Sequence, residues 1–129
     1  MAEEKMRLGT FCWTELATRD VETAKKFYSE LIGWTTRDQD MAGFTYTVLM
    51  PAGSDEQVGG IMSMTGPQWE GVPPHWMPYI AVEDVDDRAD KCVELGGKIK
   101  IKPTDIPNVG RFCVIEDPTG AVVSLFQGK

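Results

Sequence analysis

The sequence predicts an α+β fold: two βαβββ modules whose curved sheets surround a shared cavity. Three observations carry that prediction. The first is a stretch written twice. Asp20-Val21, Leu31 and Gly33 of the first copy recur 64 residues later as Asp84-Val85, Leu95 and Gly97. A fixed internal repeat sets the architecture before any single element does, and two copies make a pseudo-symmetric domain rather than a solenoid, which needs about three or more. The second is the order of patterns within each copy, one strand, one amphipathic helix and then strands only. Runs of antiparallel strands with one helix per repeat place the helices on one sheet face and leave the other face free. The third is the break at 65–75, rich in glycine and proline (Gly66, Pro67, Gly71, Pro73, Pro74), which separates a module at 8–64 from one at 76–127.

Each element has a local reason. Leu8 to Leu16 alternates as a strand, with Phe11, Trp13 and Glu15 on one side and Cys12, Thr14 and Leu16 on the other. Asp20 is a helix N-cap, Val21, Ala24, Phe27, Tyr28 and Leu31 form an apolar stripe at spacings of three and four, and Gly33 closes the helix. A short strand is expected over Trp34 to Arg37, then a polar turn, then a strand from Phe44 to Met50 rich in β-branched and aromatic residues. Pro51 to Asp55 breaks it, and Gln57 to Met64 is the fourth strand. Gly59-Gly60 inside that strand marks a bulge or the close approach of another group.

The second copy reads the same way. A strand over Trp76 to Val82 leads to the N-cap Asp84 and a helix with Val85, Ala89, Cys92 and Val93 facing inward, closed by Gly96-Gly97. Lys98 to Lys102 alternates as a strand with one wet face, and Pro103 to Asn108 is expected to loop. Gly110 to Ile115 and Ala121 to Phe126 form a hairpin through Glu116-Asp-Pro-Thr-Gly120.

Composition narrows the function. A chain of 129 residues, 42% apolar and 26% charged, is an ordinary soluble domain. Its net charge of −7 lacks the basic footprint that nucleic acid requires and does not favour an anionic membrane. Cys12, Cys92 and Cys113 are an odd set without CxxC spacing, which points to packed, reduced thiols in the cytoplasm. No signal-peptide pattern and no apolar run of membrane-spanning length is present. The acidic group Glu83, Asp84, Asp86, Asp87 and Asp90 starts a helix, where negative charge suits the macrodipole, and lacks the spacing of a calcium loop.

Leu16-Ala-Thr-Arg-Asp20 with Ala24-Lys-Lys-Phe-Tyr28 and Leu31-Ile-Gly-Trp34, then Tyr79-Ile-Ala-Val-Glu-Asp-Val85 with Glu94-Leu-Gly-Gly97, then Glu116-Asp-Pro-Thr-Gly120, together resemble the vicinal-oxygen-chelate superfamily. This is the glyoxalase/bleomycin-resistance/dioxygenase group, and the likeness runs over nearly the whole chain. It implies paired βαβββ modules, a homodimer and pockets formed between modules. Many members hold a divalent metal through His, Gln or Glu on the first and last strand of each module. The matching positions here are Trp13, Gly60, Met77 and Ser124, which lack those donors, so no metal and no cofactor is expected.

What remains is an apolar site. Trp13, Glu15, Met62, Met77, Tyr79, Phe112 and Ser124, with Tyr46, would line an aromatic and thioether-rich wall with few polar atoms, the usual make-up of a small-molecule pocket. Plain core packing is the competing reading for Trp13 and Met77, and the favoured one for Tyr46, Met62 and Phe112. Glu15 is the expected polar anchor and the one catalytic candidate, with a solvated or ion-paired carboxylate as its alternative. His75, the only histidine, lies in Pro73-Pro-His-Trp76, where a structural role outweighs that of a base. Trp69 in the linker is a lid or interface residue, or else a surface anchor packed on its own domain. The leading expectation is a metal-independent protein that binds an apolar or aromatic metabolite or drug, or a cation held by aromatic faces. The alternatives are a metal-dependent lyase, isomerase or dioxygenase of the same superfamily, and a purely structural or interaction module.

Overall fold

A computed structural model describes residues 6–41 and 43–129 of the chain. They divide into two compact units, one of Thr14–Trp76 and one that joins Met77–Lys129 to the segment ending at Trp13. The elements run β1 (Phe11–Thr18), α1 (Val21–Ile32), β2 (Thr35–Met41), β3 (Phe44–Met50), β4 (Gly59–Ser63), β5 (His75–Ala81), α2 (Val85–Glu94), β6 (Lys98–Ile106), β7 (Gly110–Glu116) and β8 (Val122–Gly128). Each module is therefore βαβββ, and the expected α+β class holds.

In the first unit the sheet order is β2-β3-β4-β1, with β1 parallel to β4 and the other pairs antiparallel. Asp20 caps α1 by accepting from the Thr23 amide at 3.1 Å, and Gly33 closes it at φ 90°, donating its N–H to Ser29 O. A left-handed residue after the last turn is the ordinary way to end a helix, and glycine enters it without steric penalty. Leu16, Leu49 and Ile61 form the core beneath α1, with Val21, Ala24, Tyr28 and Trp34 packed on it. Phe27 and Leu31, expected to point inward, are 55% and 64% exposed. The stripe is wider than the sheet surface that receives it.

The second unit repeats this order as β5-β8-β7-β6, with β5 parallel to β8. Asp84 caps α2 through the Asp87 amide. Val85, Ala89, Cys113 and Leu125 form its core, flanked by Ile80, Val82, Ile99 and Ile115. Val93, also expected inside, is exposed, because the buried positions of α2 lie in its first half. Arg111 ties the N-terminal turn of α2 to β6, meeting Asp86 at 2.8 Å and Asp105 at 2.9 Å.

Three strands differ most from the sequence reading. β1 starts at Phe11 rather than Leu8, because Gly9 turns the chain at φ 82° and Thr10 folds back on the Arg7 carbonyl. β2 runs on through Asp38-Gln39-Asp40, where a turn was expected, since β3 pairs with it along its whole length. β6 likewise continues through Pro103 to Ile106, with register shifts between Ile99 and Ile101 and between Ile101 and Thr104. A proline is tolerated there because β6 is the edge of its sheet and is bulged. Among the described residues no helix is long and apolar enough to cross a membrane.

Candidate functional site

Side chains alternate along a strand, so the core residues fix which positions lie on the opposite face. In the first unit Leu16, Leu49 and Ile61 point to α1. Glu15, Ala17, Tyr46, Val48, Gly60 and Met62 therefore share the other face. The registers agree, since Glu15 pairs with Gly60, Ala17 with Met62 and Val48 with Gly60. Glu15 is 9% exposed, and the Tyr46 hydroxyl donates to its Oε1 at 2.8 Å. To reach across from β3 to β1, the phenol lies over β4 at Gly60. A Cβ at that position would collide with the Tyr46 ring and hydroxyl. At Gly59 a Cβ would sit 2.6 Å from the Thr14 carbonyl. The expected close approach at Gly59-Gly60 is thus present at both glycines.

Sequence reasoning missed two polar groups on this face. Arg37 and Gln39 stand in register with Val48 and Tyr46, and Arg37 Nη2 donates to Gln39 Oε1 at 3.3 Å. The signal was the alternation of Thr35, Arg37 and Gln39 against Thr36, Asp38 and Asp40. The second set turns to the helix side, where Asp38 accepts from Thr47 at 2.8 Å and pairs with Lys25 at 3.3 Å. The Thr47 hydroxyl, ahead of Lys25, holds the Asp38 carboxyl below its ordinary range.

In the second unit the face opposite α2 carries Tyr79, Phe112, Ser124 and Phe126. Tyr79 pairs with Ser124, the same register 64 residues on from Glu15 and Gly60. The Tyr79 ring centroid lies 6.4 Å from Phe112 and 6.5 Å from Phe126. Ser124 is fully buried, and among the described residues its hydroxyl has no hydrogen-bond partner. Trp13 and Met77 are half-buried, one in β1 and one in β5. The predicted residues thus gather as two groups, Glu15 with Met62 in one unit and Tyr79 with Phe112 and Ser124 in the other.

Other candidates take structural places. The His75 Nδ1 lies 2.9 Å from the Pro73 carbonyl and its ring 6.4 Å from that of Trp69. Trp69 in turn accepts at its carbonyl from Arg19 Nη2 at 2.7 Å, which anchors the linker. Burial pushes the Cys113 thiol up to about 11 and raises that of Cys12, so neither is a ready thiolate at neutral pH.

Residues 10–125 match the family model of the Glyoxalase/Bleomycin resistance protein/Dioxygenase superfamily. The chain belongs to this superfamily. It is 43% identical over 123 residues to a Mycobacterium tuberculosis protein named "Putative glyoxylase CFP32", covering 95% of this chain and 47% of that one. It is 34% identical over 127 residues to the "Anthracycline biosynthesis protein DnrV" of Streptomyces peucetius, covering 93% and 43%. The chain spans about half the length of the curated relatives it matches. Among solved structures, methylmalonyl-CoA epimerase of Mycobacterium tuberculosis has a TM-score of 0.64 at 15% identity, covering 99% of this chain and 95% of that one. A hypothetical protein of Bacillus halodurans reaches 0.69 at 13%, covering 95% and 96%. At such identities the likeness is one of fold.

The superfamily's metal positions can now be tested against the side chains present. Position 60 is a glycine whose side-chain space the Tyr46 phenol fills. Position 124 offers a neutral, buried hydroxyl, and positions 13 and 77 offer an indole and a thioether. Divalent ions of the usual kinds select imidazole, carboxylate or thiolate, so this set does not fit one. Among the described residues no group of three or more His, Cys, Asp and Glu is placed to hold a metal ion.

Proposed function

We propose that this chain binds a small organic molecule, apolar or aromatic in its bulk, without help from a metal ion. The ligand lies against the face of the first unit that carries Glu15, Tyr46 and Met62. The observation that carries this reading is the buried carboxylate–phenol pair laid over Gly60. It puts a fixed polar anchor in an apolar surface, the arrangement by which small-molecule sites orient their ligands. Arg37 and Gln39 supply donors and acceptors at the rim of that face. Trp13 lies two residues before Glu15 on the same strand, and its side chain leaves that strand on the same side. On the second unit the corresponding ligand face is Met77, Tyr79, Phe112 and Ser124. The relatives named for anthracycline biosynthesis support an aromatic ligand, since anthracyclines are polycyclic aromatic molecules. The protein acts in the cytoplasm as a homodimer, and light scattering coupled to gel filtration measures that mass directly.

The test is a thermal-shift screen of aromatic metabolites, read in parallel by tryptophan fluorescence. A true ligand raises the melting temperature of protein dialysed against chelator as much as that of untreated protein. Glu15→Gln and Tyr46→Phe each weaken it by about tenfold, the loss of about 1.4 kcal/mol of polar contact. Unchanged binding in Glu15→Gln and Trp13→Ala would remove this face from consideration. The name glyoxylase among the relatives favours a second reading, a metal-dependent lyase, isomerase or dioxygenase. Near-stoichiometric zinc, nickel, manganese or iron in the purified protein, with turnover lost on chelation, would establish it.

A further inference from the structure

We infer a second small-molecule site in the first unit, on the α1 side of its sheet, which takes a neutral, flat aromatic molecule of one or two rings. It is a half-open recess of about 360 Å³ lined by Thr14, Trp34, Leu49, Val58, Gly59 and Trp76. Thr14 and Leu49 alternate with Glu15 and Val48, so this recess lies through the sheet from the Glu15–Tyr46 face.

Its walls come from the way α1 ends. Gly33 turns the chain out of the helix, and Trp34 packs back on Leu16, Leu49 and Ile61. Trp76, at the start of β5, stands 6.2 Å from Trp34 at 67° and 5.4 Å from Tyr28 at 77°. Two indoles inclined at 67° form a corner in which a third ring can stack on one and meet the other edge-on, the two arrangements aromatic pairs prefer. The floor is bare backbone, because Gly59 runs so close to the Thr14 carbonyl that a side chain has no room there. Trp76 and Val58, 38% and 37% exposed, mark the mouth.

The lining chooses the ligand. It contains no charged side chain, so a charged molecule would lose its hydration without repayment. Thr14 gives the one side-chain hydroxyl, enough to orient a single phenol or carbonyl. The volume is at the small end of the range of about 300–1,000 Å³ for ligand pockets, which suits one or two rings.

The chain has four tryptophans, Trp13, Trp34, Trp69 and Trp76, so its indole N–H resonances report each site separately. Titration of ¹⁵N-labelled protein with 2-naphthol is expected to shift the Trp34 and Trp76 signals saturably, with a midpoint below about 1 mM, and to leave Trp13 and Trp69 in place. Cyclohexanol, which has the hydroxyl but no π face, is expected to shift none of the four. Val58→Glu puts a charge at the mouth without touching the core and is expected to weaken the response at least about tenfold, with Thr14→Val weakening it less. No saturable shift at Trp34 and Trp76, equal shifts with cyclohexanol, or full binding by Val58→Glu would each overturn the site. A shift at Trp13 alone would overturn it too while favouring the Glu15 face. The expected pattern stands whether or not Glu15→Gln affects any ligand.

Discussion

The two modules share one frame and line it with opposite chemistry. Strand order, the register of the parallel pair, helix N-caps and core positions repeat with the 64-residue offset. On the face away from the helix, however, Glu15 beside Gly60 becomes Tyr79 beside Ser124. The first pair is bridged by a phenol from a third strand, and the second sits among phenylalanines. The backbone of a repeat is held by its core and caps, so the sheet face that neither uses is free to diverge. One glycine sets the direction of that divergence, because only a position without a side chain lets Tyr46 cross β4.

Substitutions at equivalent positions break the comparison in graded steps. The largest effect belongs to the shared core. Ile61 and Leu125 are equivalent, 0% and 8% exposed, and Ile61→Ala is expected to lower stability by about 4 kcal/mol against about 3 for Leu125→Ala, measured by urea denaturation. Next is Gly60→Ser, which copies the second module into the first. It forces Tyr46 aside and is expected to lose about 2 kcal/mol. The double variant with Tyr46→Ala should be better than additive, and strict additivity would mean the two residues do not touch.

Ser124→Ala acts in the opposite direction. It removes a buried hydroxyl that has no partner among the described residues, so stability should rise by about 1 kcal/mol. A loss of similar size would show that the hydroxyl is satisfied. The smallest effect separates nothing between modules and so serves as a control. Asp20, Asp38, Asp86 and Asp117 are all held below the ordinary aspartate value of 3.8, chiefly by Thr23, Thr47, Arg111 and Thr119 respectively. A lowered folded pKa gives stability that is complete above the unfolded value and is lost as pH falls through the folded one. Urea midpoints should be level from pH 7 to 5 and decline below about pH 4, and less steeply in Asp38→Asn.

Much of this frame was legible in the sequence. The repeat, both N-caps and β3 emerge as read, because caps, hairpin turns and periodic apolar residues are local signals. β2 and β6 run longer than their own residues suggest, since an edge strand is held by its neighbour and can afford Asp38, Asp40 or Pro103. The site was half legible. Glu15 stood out as a carboxylate in an apolar strand, and Gly59-Gly60 announced a close approach. That Tyr46 is what approaches depends on a partner two strands away, which no local pattern encodes. Arg37 and Gln39 were hidden by reading their strand as a turn.

β6 carries a consequence of another kind. A sheet edge is a template on which a second chain can extend the ladder, the first step toward fibrous aggregates. β6 shifts register twice, holds a proline with no amide hydrogen to donate, and exposes Lys98, Lys100 and Lys102 along its length. No straight strand can pair with it over more than a few residues, and each approach brings its partner against ammonium groups. The irregularity that hid this strand from the sequence pattern is what keeps it from polymerising.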